Sequence, residues 1–314
     1  MTLRFCTRSL AALAGSVVLL LAVGPQARAT SDSEEPAHVP WTDLLPPLPA
    51  GYEPTTENLC VSGQLRCVDV VIREMRRRFD ALARRCDHSA VFALTYLRTT
   101  EEYRRAIDDP DFFDDTAFVN HEDVVFAAYY FRAFDDWYRN RAPDRVPAAW
   151  RVAFDAADRR AVSGQGNLLL GLSAHVNSDL PHVLAAIGLA APDGSSRKPD
   201  HDRVNAFLVR VTQPVLAEIA RRFDPTADDG NVRGTTLDET AVFQLVAAWR
   251  EEAWRNAERL AAARTPAERA AVSQSIEDSA EAKALLLRTQ TGYVPPLTDA
   301  SARDAWCAVH GGDR

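Results

Sequence analysis

From Val61 onward the chain offers run after run of apolar residues at helical spacing, and no useful stretch in which apolar and polar residues alternate. A period of 3.6 marks an amphipathic helix and a period of 2 a half-buried strand, so such a chain can bury its apolar surface only by packing helix on helix. The helical segments are 65–86, 89–107, 118–140, 147–160, 164–190, 202–222, 237–264 and 266–289. The last opens with Thr265-Pro266-x-Glu268, the hydroxyl, proline and acid of a helix start. No domain-type linker interrupts the series and no internal repeat is visible. The expectation is one all-α domain over 59–314, a bundle of seven or eight helices, with mobile loops at Ala191–Pro199 and Pro225–Thr236.

Ahead of the bundle lie two segments of different character. Residues 1–29 carry Arg4 and Arg8, an uncharged apolar run from Leu10 to Val23, and Ala27-Arg28-Ala29, the three parts of a cleavable secretory signal. Cys6 precedes the apolar run, the wrong order for a lipid anchor, and no later stretch is long enough for a transmembrane anchor. Residues 30–58, with Pro40, Pro46-Pro47 and Pro49, read as an extended arm. The expected location is therefore extracellular. Basic residues number 36 and acidic residues 44, and loss of a signal with three arginines and no acid leaves the mature chain more acidic still. Such a surface excludes nonspecific nucleic-acid binding, which needs a basic patch. In an exported protein the remaining cysteines read as two disulfides, for which sequence alone allows three pairings. Cys60–Cys67 is the local choice, leaving Cys86–Cys307.

Chemistry is concentrated in Gly171-Leu172-Ser173-Ala174-His175-Val176-Asn177-Ser178-Asp179-Leu180-Pro181-His182. On a regular helix His175, Asp179 and His182 project from one face, while Leu168–Leu170 and Val183–Ile187 make the flanks apolar all round. Burying such a trio is costly unless it is paired or binds an ion. His175 and Asp179 are thus candidate metal ligands, or a catalytic histidine oriented by its carboxylate, or a structural hydrogen bond inside the bundle. Pro181 cannot donate to the Asn177 carbonyl, so a kink is expected that frees this carbonyl beside the site, with Asn177 and His182 lining the pocket. His121-Glu122-Asp123 opens the aromatic helix, as caps or as contributors, and Asp123, Phe126 and Tyr130 share a face that would give the pocket an apolar wall. Asp202 and Asn205 start another helix and could join. Trp249, Arg250, Glu251, Glu252 and Trp254 read as a structural packing patch. No GxSxG, HExxH, Walker or GxGxxG pattern is present.

Two resemblances bear on these residues. Cys60 and Cys67 before Arg73-Glu74-Met75, Cys86-Asp87-His88 leading into Val91–Thr100, Asp123–Tyr130, Trp150, Ala174-His175-Val176-Asn177-x-Asp179-Leu180-Pro181, and Asp202 with Asn205 resemble a family of exported actinobacterial proteins classed as domain of unknown function 5995. That resemblance implies membership and no activity. His175-x-x-x-Asp179 also resembles the helical zinc-ligand pair of the all-α zinc phospholipase C and single-strand nuclease group, which implies bound zinc activating water against phosphate esters. The group's N-terminal tryptophan ligand is missing, and His201-x-x-x-Asn205 carries Asn where Asp is needed.

The favoured expectation is a metal-dependent hydrolase, with zinc or another divalent ion on His175, Asp179, His121 and Asp202, and with His175, Asp179 and Asp123 doing the chemistry. Tyr130, Phe126, Asn177, His182 and Asn205 would line a pocket for a small-molecule or lipid-like substrate. The alternatives are a metal-free cyclase or isomerase with His175 as acid and base, and a non-catalytic ligand-binding protein.

Overall fold

The computed structural model describes residues 60–227 and 237–312; the expected signal (1–29), the expected arm (30–58) and most of the second expected loop lie outside them. The described residues form an all-α bundle: α1 Leu65–Ala83, α2 Ala90–Ala106, α3 Thr116–Tyr138, α4 Ala148–Asp158, α5 Gly164–Ser173, α6 Leu180–Ile187, α7 Lys198–Arg222, α8 Leu237–Ala262, α9 Pro266–Thr291 and α10 Ser301–His310. A π-turn, Ala174–Asp179, joins α5 to α6 into one rod, which gives nine helical rods among the described residues against the seven or eight expected. The unforeseen one is α10, a short polar helix in the tail.

The α5–π–α6 rod is the centre of the bundle, packed by α2, α3, α4, α8 and α9. A helix apolar all round has no broad face to give to water, and here no residue of it is fully exposed: Leu168, Leu170, Ala174, Leu180, Val183 and Leu184 are all buried. Gly171 makes the α2 contact possible. A Cβ there would stand 2.3 Å from the Phe92 ring, so only glycine lets that ring lie against the rod.

Local signals explain several helix starts. Thr265 and Glu268 form the capping box expected for α9, the Thr265 hydroxyl accepting from the Glu268 N–H at 3.1 Å and the Glu268 carboxylate from the Thr265 N–H at 3.2 Å. Two starts differ from expectation. Asp115 caps α3, its carboxylate accepting from the Phe118 N–H at 3.0 Å, so His121-Glu122-Asp123 lies a turn inside the helix and caps nothing. α7 begins at Lys198 because Pro199 sits in its first turn, where a missing N–H costs nothing. Two disulfides, Cys60–Cys67 and Cys86–Cys307, match the local pairing and its complement. The second ties α10 to the loop after α1.

Candidate functional site

His175 and Asp179 sit in the π-turn. The Leu180 N–H donates to the His175 carbonyl, five residues back instead of four. The proline that follows has no N–H to offer, and the widened register absorbs the break that was expected as a kink. It also corrects the expected common face. His175 and Asp179 are buried at 3% and 2% exposure and bonded to each other, Nδ1 to Oδ2, at 2.8 Å. His182 is turned away and lies partly buried beside Glu277, its Nε2 3.7 Å from that carboxylate. Asn177, also expected in the pocket, is buried away from it: it donates to the Ser173 hydroxyl at 3.2 Å and accepts from Lys283 at 3.0 Å.

Four rings hold the imidazole, three behind it and one against its face. Phe126 is stacked flat on it, centroids 3.5 Å apart and planes within 3°. Tyr96 meets it at 4.6 Å, while Phe92 and Trp150 stand at 6.0 and 5.8 Å. Tyr130 backs this wall at 6.2 Å without lining the cavity. Trp150 has a second duty, its Nε1–H donating to Asp179 Oδ2 at 2.8 Å. Asp179 is therefore an orienting group. It holds one edge of the ring and is itself held by the indole.

The other edge, His175 Nε2, has no hydrogen-bond partner although it is buried. It belongs to a cavity of about 110 Å³ between α2, α3, the central rod, α7 and α8. Phe92, Phe126, Phe207, Leu172, Leu208 and Val246 contribute to its apolar wall, and its polar groups come from Thr95, Thr99, Thr100, Tyr96, Tyr103, Glu122, Asp123, His175 and Arg250. Two further buried atoms among these lack partners, the Tyr96 hydroxyl and Asp123 Oδ2. Unpaired buried polar atoms are rare because each forfeits its hydration. Three around one cavity mark a place built to bond something that enters it.

Electrostatics follow from burial. The His175 imidazole is pushed well below its ordinary range by loss of water, and the Asp179 carboxyl is pushed well above its own by the same cause, with Trp150 opposing. Burial, then the charge of Glu122, raises Asp123 to about 8. Glu122 is raised to about 7 by burial, with Arg250 holding it back. Tyr96 is pushed well above 10 by burial and the charges of Asp123 and Asp179. At neutral pH the cavity thus presents a phenol O–H, a protonated Asp123 and an uncharged imidazole. While Asp179 keeps its proton, it donates to Nδ1 and Nε2 bears hydrogen. Once Asp179 ionises, Nδ1 donates to it and Nε2 becomes a base.

The expected metal set is not assembled. Among the described residues no three His, Cys, Asp or Glu side chains gather as a group that could hold an ion. Asp179 Oδ2 is already engaged by both Trp150 and His175, Asp202 is bonded to Lys198 at 3.0 Å, and His121 is buried on α3 without lining the cavity. Asn205 accepts from Arg250 Nε at 3.1 Å, supporting a residue that does line it. Arg250 is the larger surprise. Read as packing, it is buried against His201, which accepts its Nη2–H at Nδ1 (3.2 Å), and it reaches the cavity beside Glu122. Its place beside two tryptophans gave the appearance of a structural patch. Tyr96 was visible only as one more apolar-face residue of α2.

The match to known sequences comes from one quarter. The profile of the family of unknown function DUF5995 matches residues 68–290. The chain belongs to that family. No curated protein and no solved structure matches it. The matched span includes every residue that lines the cavity. No helix among the described residues is long and apolar enough to cross a membrane.

Proposed function

We propose that this DUF5995 protein is an exported acid–base enzyme of the isomerase or cyclase type, acting on a small apolar substrate. The observation that carries the reading is the unpartnered Nε2 edge of His175, fixed by Asp179 and Phe126, in one apolar cavity with the unpartnered groups of Asp123 and Tyr96. A base and an acid with displaced pKa values in a water-poor cleft are the parts that proton relocation requires. In the state with Asp179 ionised, His175 Nε2 removes a proton from one carbon of the substrate, and the Asp123 carboxyl or the Tyr96 hydroxyl delivers one to another. Proton count is conserved and no water is consumed. Two disulfides support the exported location.

The zinc-hydrolase expectation has less support, because His121 and Asp202 do not join His175 and Asp179. The test uses purified protein and candidate apolar alkenes or unsaturated alcohols in heavy water, followed at carbon-bound hydrogen because hydroxyl protons exchange without a catalyst. Wild-type protein should wash deuterium into the substrate, a chelator should not stop it, and His175→Ala and Asp123→Asn should each lower it by at least about a hundredfold, the usual worth of general acid–base groups. Stoichiometric zinc that is lost on His175→Ala, together with loss of turnover on chelation, would restore the hydrolase reading. Ligand binding without proton exchange would make the protein a carrier.

A further inference from the structure

The cavity at His175 has a neighbour on the far side of some of its own lining residues. A second void of about 50 Å³ lies between α2, the central rod, α7 and α8, and it shares Thr95, Thr99, Leu172, Leu208 and Val246 with the first. Its remaining lining is Leu168, Val211, Thr212, Val215, Leu216, Val242 and Phe243, without a charged group. The Thr212 hydroxyl is satisfied, donating to the Leu208 carbonyl at 2.8 Å, and Thr95 likewise donates to the Val91 carbonyl at 2.9 Å. The unpartnered polar atoms of the cavity residues are at one end, and a void lined by apolar side chains and three threonines is at the other. Space of this kind has a direction.

We propose that the substrate is a linear hydrocarbon chain ending in a hydroxyl, its head at His175 and its tail in the second void. This rests on the reading of His175 as the catalytic base. The head follows from the unpaired atoms: Nε2 can accept a proton, Tyr96 and the protonated Asp123 can each donate one, and a hydroxyl does both in return. The tail follows from the lining, which offers a chain dispersion and no hydrogen bond. A compact ring of the same atom count would fill the first void and leave the second empty.

The experiment measures binding of straight-chain primary alcohols of increasing length by calorimetry, with cyclohexanol and phenol as compact controls. Affinity should rise roughly threefold to fourfold per added methylene while the second void fills, the increment expected for a buried CH₂ at about 0.8 kcal/mol. Val215→Phe on α7, and independently Val242→Phe on α8, should flatten that rise while leaving the shortest alcohols bound as before; two helices are used so that one misfolded variant does not decide the matter. His175→Ala should keep the length dependence while losing deuterium exchange. Compact controls that outbind every linear alcohol, or a length dependence untouched by both fillings, would overturn the chain proposal and leave the role of His175 standing. Length-dependent binding with no exchange in wild-type protein would overturn the catalytic reading alone.

Discussion

His88 and His175 are both buried, both held below their ordinary pKa by burial, and both bonded to an aspartate, at 2.9 and 2.8 Å. Their surroundings differ in one respect. Around His88 every valence is used: Nε2 donates to Asp304, Nδ1 accepts from Arg303 at 3.0 Å, and the same guanidinium nitrogen reaches the Val162 carbonyl at 3.1 Å and Asn167 at 2.6 Å. Arg160 closes the outer side of Asp304 at 2.7 Å. His201 is likewise occupied at both nitrogens, by the side chain and the carbonyl of Arg250. His175 alone of the three keeps a nitrogen without a partner, and that nitrogen lies at a cavity. A buried histidine with a carboxylate is thus no functional signal by itself; the signal is the edge left over and the space in front of it.

The contrast is sharpest when the closed network is broken. The Cys86–Cys307 bridge spans 221 residues and anchors α10, which supplies Arg303 and Asp304. Replacing both cysteines by alanine should cost about 5 kcal/mol on the loop-entropy account, against about 2 kcal/mol for Cys60–Cys67 with its separation of 7. Denaturant midpoints on the two double variants would check the order. Alcohol binding by whatever fraction remains folded should be unchanged, since no cavity residue lies in that network. Loss of binding in proportion to the lost α10 contacts would make the two regions one unit.

The open region should respond in the opposite sense. Asp123 is protonated in the fold up to about pH 8 and ionises near 3.8 when unfolded, so the native state holds the extra proton between those values. Its contribution to stability therefore falls as pH rises from about 4 to about 8. Asp123→Asn removes the penalty and should stabilise by about 2–3 kcal/mol at pH 8, below the ceiling of about 5–6 kcal/mol that the full shift would give, with almost no effect at pH 4. Thermal melts at the two pH values settle it. Activity should vanish in the same variant. A destabilised Asp123→Asn would mean that this carboxyl has a structural partner.

Much of this contrast was legible before any coordinates, and the parts that were not share a cause. Helical periodicity exposed the class, the Thr265 box gave the start of α9, and an apolar run interrupted by His175 and Asp179 pointed to the rod on which the site lies. What periodicity cannot carry is register. A single π-turn separated His182 and Asn177 from His175, and the face drawn at 3.6 residues per turn no longer held. Nor can sequence weigh partners: Arg250 reads as packing because a long polar side chain among tryptophans looks the same whether its far end meets protein or a void. Asp202 looked like a ligand and is bonded to Lys198.

Alanine at each histidine isolates the comparison itself. His88→Ala leaves Arg303 and Asp304 short of a partner and should cost about 2–3 kcal/mol, with binding and exchange intact. It should also soften the acid limb of the stability curve. His88 titrates near 4 in the fold and near 6.5 unfolded, so its contribution is present above 6.5 and is lost as pH falls toward 4. His175→Ala should cost a similar or smaller amount and remove deuterium exchange entirely. Urea titrations at pH 7 and pH 5 with the exchange assay on both variants give the crossed result expected. Equal loss of exchange in both would erase the distinction between a closed and an open histidine.

The smallest change in stability tests the wall between rod and cavity. Gly171 lies in the central helix with the Phe92 ring in the place of a side chain, a Cβ there falling 2.3 Å from its Cδ2. Gly171→Ala gains about 1 kcal/mol from helix propensity and loses about 1–3 kcal/mol to overpacking, so the net should be near 1 kcal/mol of destabilisation. Function should suffer more than stability. Phe92 lines the cavity and packs edge-on against His175 and against Trp150, the residue that holds Asp179. A ring displaced from Gly171 moves toward the void or into that stack, and either course should weaken alcohol binding by at least several-fold. Calorimetry and melting of the one variant measure both quantities. A lower melting temperature with unchanged binding would show Phe92 yielding away from the cavity, and the wall would then belong to Phe126 and Tyr96 alone.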